Sequence, residues 1–70
     1  MKNLEIGGIY KHFKGTKVRV ICEALDSETK EPFVVYVHLE DNVNWIRPKK
    51  MFLENVIVDG REVKRFQKVE

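Results

Sequence analysis

A single cysteine, Cys22, in a chain of 70 residues excludes an internal disulfide. The two histidines, His12 and His38, stand at no standard metal-ligand spacing from it or from each other, so neither a metal centre nor any other cofactor is expected. The N-terminus has no apolar segment of signal-peptide length, and nothing later approaches a membrane span, so the expectation is a cytoplasmic chain without membrane association. Also missing is any stretch of ten or more residues with the 3.6-residue apolar period of an amphipathic helix. A domain this small buries only about 60% of the surface exposed by its unfolded chain, so without staples its stability must come from packing or self-association.

Strand-like alternation is what the chain does have. Two apolar runs, 16–25 and 32–39, flank the turn-prone residues 26–31. Paired as an antiparallel hairpin, they set Val18 against Leu39, Val20 against Val37, Cys22 against Val35 and Ala24 against Phe33, making one face wholly apolar. The other face carries Arg19 with His38, Ile21 with Tyr36 and Glu23 with Val34. Upstream, a two-residue tip at Lys14 and Gly15 would set Tyr10 opposite Arg19 and Ile9 opposite Val20, adding Ile9, Lys11 and Phe13 to the dry face. Downstream, a short strand Trp45-Ile46-Arg47 would set Ile46 opposite Val37, in the core, and Trp45 opposite His38. Pro48 then starts one helical turn that lays Met51 or Phe52 over an open end of the sheet. Asp59-Gly60 between alternating apolar residues closes a last hairpin, whose second strand runs to about Phe66.

This pattern leads to an all-β domain: a small, partly open SH3-like barrel of five to six antiparallel strands with one short helical turn, OB-like closure being the runner-up. Residues 1–7 read as a flexible lead-in, 8–67 as the single domain and 68–70 as a tail.

Tyr10-x-His12-Phe13-Lys14-Gly15, Ser27-Glu28-Thr29, Val34-Val35-Tyr36, Trp45-x-Arg47-Pro48, Met51-Phe52 and Val58-Asp59-Gly60 occur in this order. Together they resemble a bacterial domain-of-unknown-function family, number 1653, over roughly residues 8–66. Asp26 stands where that family usually has a histidine, and Asn42-Val43-Asn44 where it usually has a glycine-containing turn. The resemblance implies a small β-barrel and supplies no activity.

Charge is unevenly spread. Residues 1–20 carry five basic side chains and one acidic, residues 21–46 one basic and six acidic, and residues 47–70 seven basic and four acidic. Cys22 is the one conceivable nucleophile. On the dry face, and with His38 on the opposite one, it reads as a structural, unreactive thiol, so no enzyme and no catalytic residue is expected. The polar face gathers Tyr10, Arg19, Tyr36, His38, Trp45 and Arg47. Aromatics interleaved with arginines suit a shallow surface that stacks bases and meets phosphates. The expectation is a non-enzymatic binding module with single-stranded nucleic acid as first partner class. A protein segment, or self-association as a homo-oligomer through the same face, is the alternative.

Overall fold

A computed structural model describes residues 4–70. The elements are β1 (Ile9–His12), β2 (Lys17–Leu25), β3 (Pro32–His38), β4 (Asn44–Pro48), α1 (Lys49–Leu53), β5 (Asn55–Val58), β6 (Arg61–Lys64) and β7 (Phe66–Lys68). They form an antiparallel five-stranded sheet in the order β4-β3-β2-β1-β7 and a separate β5-β6 hairpin. The all-β class with one helical turn is as expected. There are seven strands rather than five or six, and they are not closed into a barrel: the last strand returns to β1, leaving β4 and β7 as the two edges of the sheet.

Two local features decide which side chains point inward. The first is the β1-β2 turn, which has three residues instead of two. Gly15 N donates to His12 O at 2.7 Å and His12 N donates to Thr16 O at 2.7 Å, enclosing Phe13-Lys14-Gly15. Gly15 sits at φ 108°, a conformation that a side chain strongly disfavours. The extra residue moves the register by one, so Tyr10 faces Val18 rather than Arg19, Lys11 faces Lys17 and Ile9 faces Arg19. Tyr10 therefore enters the core at 5% exposure, while Lys11 and Phe13, both expected on the dry face, are exposed.

The second feature is a β-bulge at Ile21. Beyond it the pairs are those expected, Cys22 with Val35 and Ala24 with Phe33; before it they become Val20 with Tyr36, Arg19 with Val37 and Val18 with His38. A bulge inserts one unpaired residue and so reverses the alternation of its strand. Val18 and Val20 point inward together with Val34 and Tyr36, all nearly or fully buried. Of the expected dry face, Val18 and Val20 are thus inside as expected, whereas Cys22, Ala24, Phe33 and Val35 lie on the outside of the sheet, and Cys22 is exposed. Ile46 pairs with Val35 and is exposed there rather than buried in the core. Leu39 is exposed too, beyond the end of β3. Trp45 pairs with Tyr36 rather than His38, a two-residue difference that keeps it on the same face.

The inner face is closed by α1. Phe52 is fully buried and acts as the expected plug, with ring centroids 4.1 Å from Phe66, 5.4 Å from Tyr10 and 5.5 Å from Tyr36. Such ring pairs contribute about 0.5–1.5 kcal/mol each beyond the area they bury. Lys49 Nζ, at the start of α1, reaches Glu23 Oε2 at 3.0 Å across the end of the inner face.

The Asp59-Gly60 turn forms as expected, with φ 52° and 77°. Its second strand stops at Lys64 rather than Phe66. Arg65 turns the chain out of the hairpin, donating from its backbone N to Glu54 O at 3.0 Å and from Nη2 to Glu54 Oε2 at 2.7 Å. Phe66 then pairs with His12 in the large sheet. Residues 68–70 are not a free tail: Lys68 pairs with Glu5, and Val69 N and Ile9 N bond to Ile9 O and Glu70 O at 2.9 Å each. Of the expected lead-in, residues 1–3 lie outside the described residues, Leu4 packs against the core, and Gly7 N donates to Val20 O at 2.8 Å. No helix among the described residues is long and apolar enough to cross a membrane.

Candidate functional site

The inner face is not covered at the end nearest the β1-β2 loop. There a cleft of about 180 Å³ opens between β1, β3, β4 and β7, with Tyr36 and Phe66 as apolar floor and His12, His38, Arg47 and Lys14 around it. Thr16 and Val18 complete the wall, and among the described residues no carboxylate lines the cleft.

Its four rings, His38, Tyr36, Phe66 and His12, belong to a series of six that Trp45 and Phe13 extend beyond the cleft at either end. Trp45 stacks on His38 at 5.4 Å and 29°, and His38 on Tyr36 at 6.1 Å and 23°. Tyr36 meets Phe66 at 5.6 Å, Phe66 meets His12 edge-on at 4.9 Å, and His12 lies 4.5 Å from Phe13. Both ends of the series are open: Trp45 is 49% and Phe13 36% exposed. The alternation of β3 and β4 explains the Trp45 end, since Tyr36, His38, Trp45 and Arg47 all fall on the inner parity of adjacent strands.

Arg47 lies over the Phe66 ring, its guanidinium carbon 5.9 Å from the centroid. Its Nε is buried without a hydrogen-bond partner, and the ion pairs among the described residues do not include it. The guanidinium is thus held in position by a ring while its charge is left uncompensated. Lys14 supplies a second cation and lies 5.9 Å from the Phe13 centroid.

His12 reports this electrostatic environment. Burial lowers its pKa from 6.5, and the nearby charges of Arg47, Arg65 and Lys14, with His38, push in the same direction. Its Nδ1 accepts the Lys14 backbone N–H at 3.1 Å, which places the proton of the neutral ring on Nε2.

Of the six residues expected to form a site, Tyr36, His38, Trp45 and Arg47 come together. Tyr10 does not join them: it is in the core, and its hydroxyl accepts the Glu5 backbone N–H at 3.1 Å. Arg19 is on the outer face of the sheet, donating to Gly7 O at 3.3 Å. Sequence reasoning missed His12, Lys14 and Phe66. The glycine closing Phe13-Lys14-Gly15 is the available signal, because a three-residue loop puts His12 on the inner parity of β1.

A larger groove of about 320 Å³ lies behind His12, between β1, β7 and the β5-β6 hairpin, lined by Phe13, Val58, Val63 and Val69 with Lys11, Lys64 and Gln67. Of the ring series it holds His12 and Phe13 alone, and it lacks the uncompensated arginine. Among the described residues no group of three His, Cys, Asp or Glu side chains could hold a metal ion.

No curated protein and no solved structure matches the chain. Residues 8–68 match the family model described as protein of unknown function, DUF1653, from the start of β1 to the end of β7. Because that match takes in every strand, the turns that set their register and all residues of the cleft, the chain belongs to the DUF1653 family.

Proposed function

We propose that the domain is a non-enzymatic binding module for single-stranded nucleic acid, and that the cleft between His38 and His12 is where a strand lies. The observation that carries this reading is the open-ended ring series flanked by Arg47 and Lys14 with no carboxylate beside it. Bases stack on exposed aromatic faces whatever their identity, and lysine or arginine beside them meets the phosphates. Trp45, half exposed and backed by His38, is the first platform, while Arg47 provides donors at a fixed position. A non-enzymatic role is favoured because Cys22 is on the opposite side of the sheet from His12 and His38, out of reach of either as a base.

The test is titration with short labelled oligonucleotides at two salt concentrations. Trp45 is the sole tryptophan, so its own emission gives a second readout and should be quenched when a base stacks on it. Trp45→Ala should weaken binding by about 1–3 kcal/mol. Arg47→Ala should also reduce the salt dependence by about one phosphate contact. Absence of binding at low salt refutes the reading and leaves a protein segment as occupant. If Trp45→Ala instead lowers the mass in solution, the cleft is a subunit contact.

A further inference from the structure

The bulge at Ile21 divides the most apolar alternating face in the sequence, keeping Val18 and Val20 inside and turning its second half outward. Cys22 and Ala24 of β2, Phe33 and Val35 of β3 and Ile46 of β4 form adjacent cross-strand rows on the outer surface of the large sheet. Cys22, Ala24 and Ile46 are exposed, Ile46 at 64%, while Phe33 and Val35 between them are half-buried. Helix α1 and the aromatic core are on the other side, so neither covers this patch. An apolar sheet face left open to water marks an interaction surface.

The charges at its two ends say what fits it. Beyond one end is the β2-β3 loop with Asp26, Glu28 and Glu31 against Lys30 alone; beyond the other, on the same outer parity, are Lys11, Lys17 and Arg19. None of these acidic or basic groups has an ion-pair partner among the described residues. Counting from Cys22 at ~3.3 Å per residue, the acidic end begins about 13 Å in one direction and the basic end about 10 Å in the other. A two-fold contact is self-complementary by construction. With the axis in the plane of the sheet, across the strands near Cys22, the two apolar patches stack and each acidic loop lies over the partner's basic end. An axis along the strands would set acid on acid and base on base.

We propose that this outer face is a homodimer interface, in which β2 and β3 of two copies pack face to face with antiparallel strand directions. It uses the side of the sheet opposite the nucleic-acid cleft and stands whether or not that reading holds.

Sedimentation over a range of protein concentrations should show 8.3 kDa chains associating to twice that mass. Ile46→Asp, a change at an exposed position, should leave circular dichroism unchanged and give monomer only. The discriminating variants are two charge reversals, Lys17→Glu with Arg19→Glu and Glu28→Lys with Glu31→Lys. Each alone should be monomeric, because both ends of its contact carry like charges. Mixed in equal amounts they should dimerise, because every contact then pairs opposite signs. Cys22 should react quickly with an aromatic disulfide reagent in dilute wild-type protein and slowly in concentrated. Wild-type protein at the monomer mass at every concentration, or two reversals that fail to associate on mixing, overturns the proposal and leaves the face to a different partner.

Discussion

Replacing Val34 or its neighbour Val35 by alanine tests the bulge at Ile21 with one deletion of the same size on opposite faces of one strand. Val34 is fully buried against the Phe52 plug and its surroundings, whereas Val35 is on the outer face and partly exposed. Val→Ala removes two carbons' worth of apolar surface at ~0.8 kcal/mol each, and a rigid core adds a cavity term, so Val34→Ala should cost about 2 kcal/mol. A chain of 70 residues has a total stability of about 3.5–10 kcal/mol. With a urea slope of about 1 kcal/mol per molar, the midpoint of Val34→Ala should fall by about 2 M, and that of Val35→Ala by less than half as much. The measurement is urea unfolding followed by Trp45 emission, in dilute protein so that self-association does not contribute. Equal or greater loss in Val35→Ala would mean that β3 presents its other face to the core, and the bulge, the inward Tyr36 and the cleft built on it would all fall.

Acid should weaken the fold through His12. Its pKa is lower folded than unfolded, so between its unfolded value of 6.5 and its folded value the unfolded chain binds the extra proton; stability should be full above pH 6.5, decline as pH falls through that window, and decline less in His12→Gln. An anion in the cleft favours the charged ring and should reverse this locally, so oligonucleotide binding should take up protons in the same window, measurable as buffer-dependent heat in calorimetry. Gly15→Ala should cost about 1–2 kcal/mol in thermal or urea unfolding: an added Cβ meets nothing within 4 Å, so the whole cost comes from the positive φ.

Where turn chemistry or a two-residue period determines the answer, the sequence was a sufficient guide. Asp59-Gly60, the single helical turn after Pro48 and the shared face of Tyr36 and Trp45 follow from local rules, and the last survives a wrong register because the difference is an even number. Odd differences are what misled. Nothing in Val20-Ile21-Cys22 marks Ile21 as the extra residue, since all three side chains suit a strand. The inner face of β3 is also not the one its composition favours. Phe33, Val35 and Val37 look drier than Val34, Tyr36 and His38, yet Tyr36 buries more surface than a valine once Phe52 and Phe66 give it rings to pack against. Those partners are 16 and 30 residues away, beyond any local pattern. The candidate site was legible in proportion: the β3 and β4 residues were found, whereas His12 and Phe66 depend on the three-residue loop and on the change of sheet at Arg65.

That change of sheet bears on the order in which the protein acquires its structure. The β2-β3, β3-β4 and β5-β6 pairings join neighbours in the chain and can form early, at little loop-closure cost. Pairing β1 with β7 joins His12 to Phe66, across most of the molecule, and must wait until the intervening chain is in place. Phe66 is also the floor of the cleft, the ring beneath Arg47 and the link between His12 and Tyr36. Chains that stop before residue 66 therefore lack the floor of the cleft and the strand that joins β1 to the C-terminus, whatever hairpins they form.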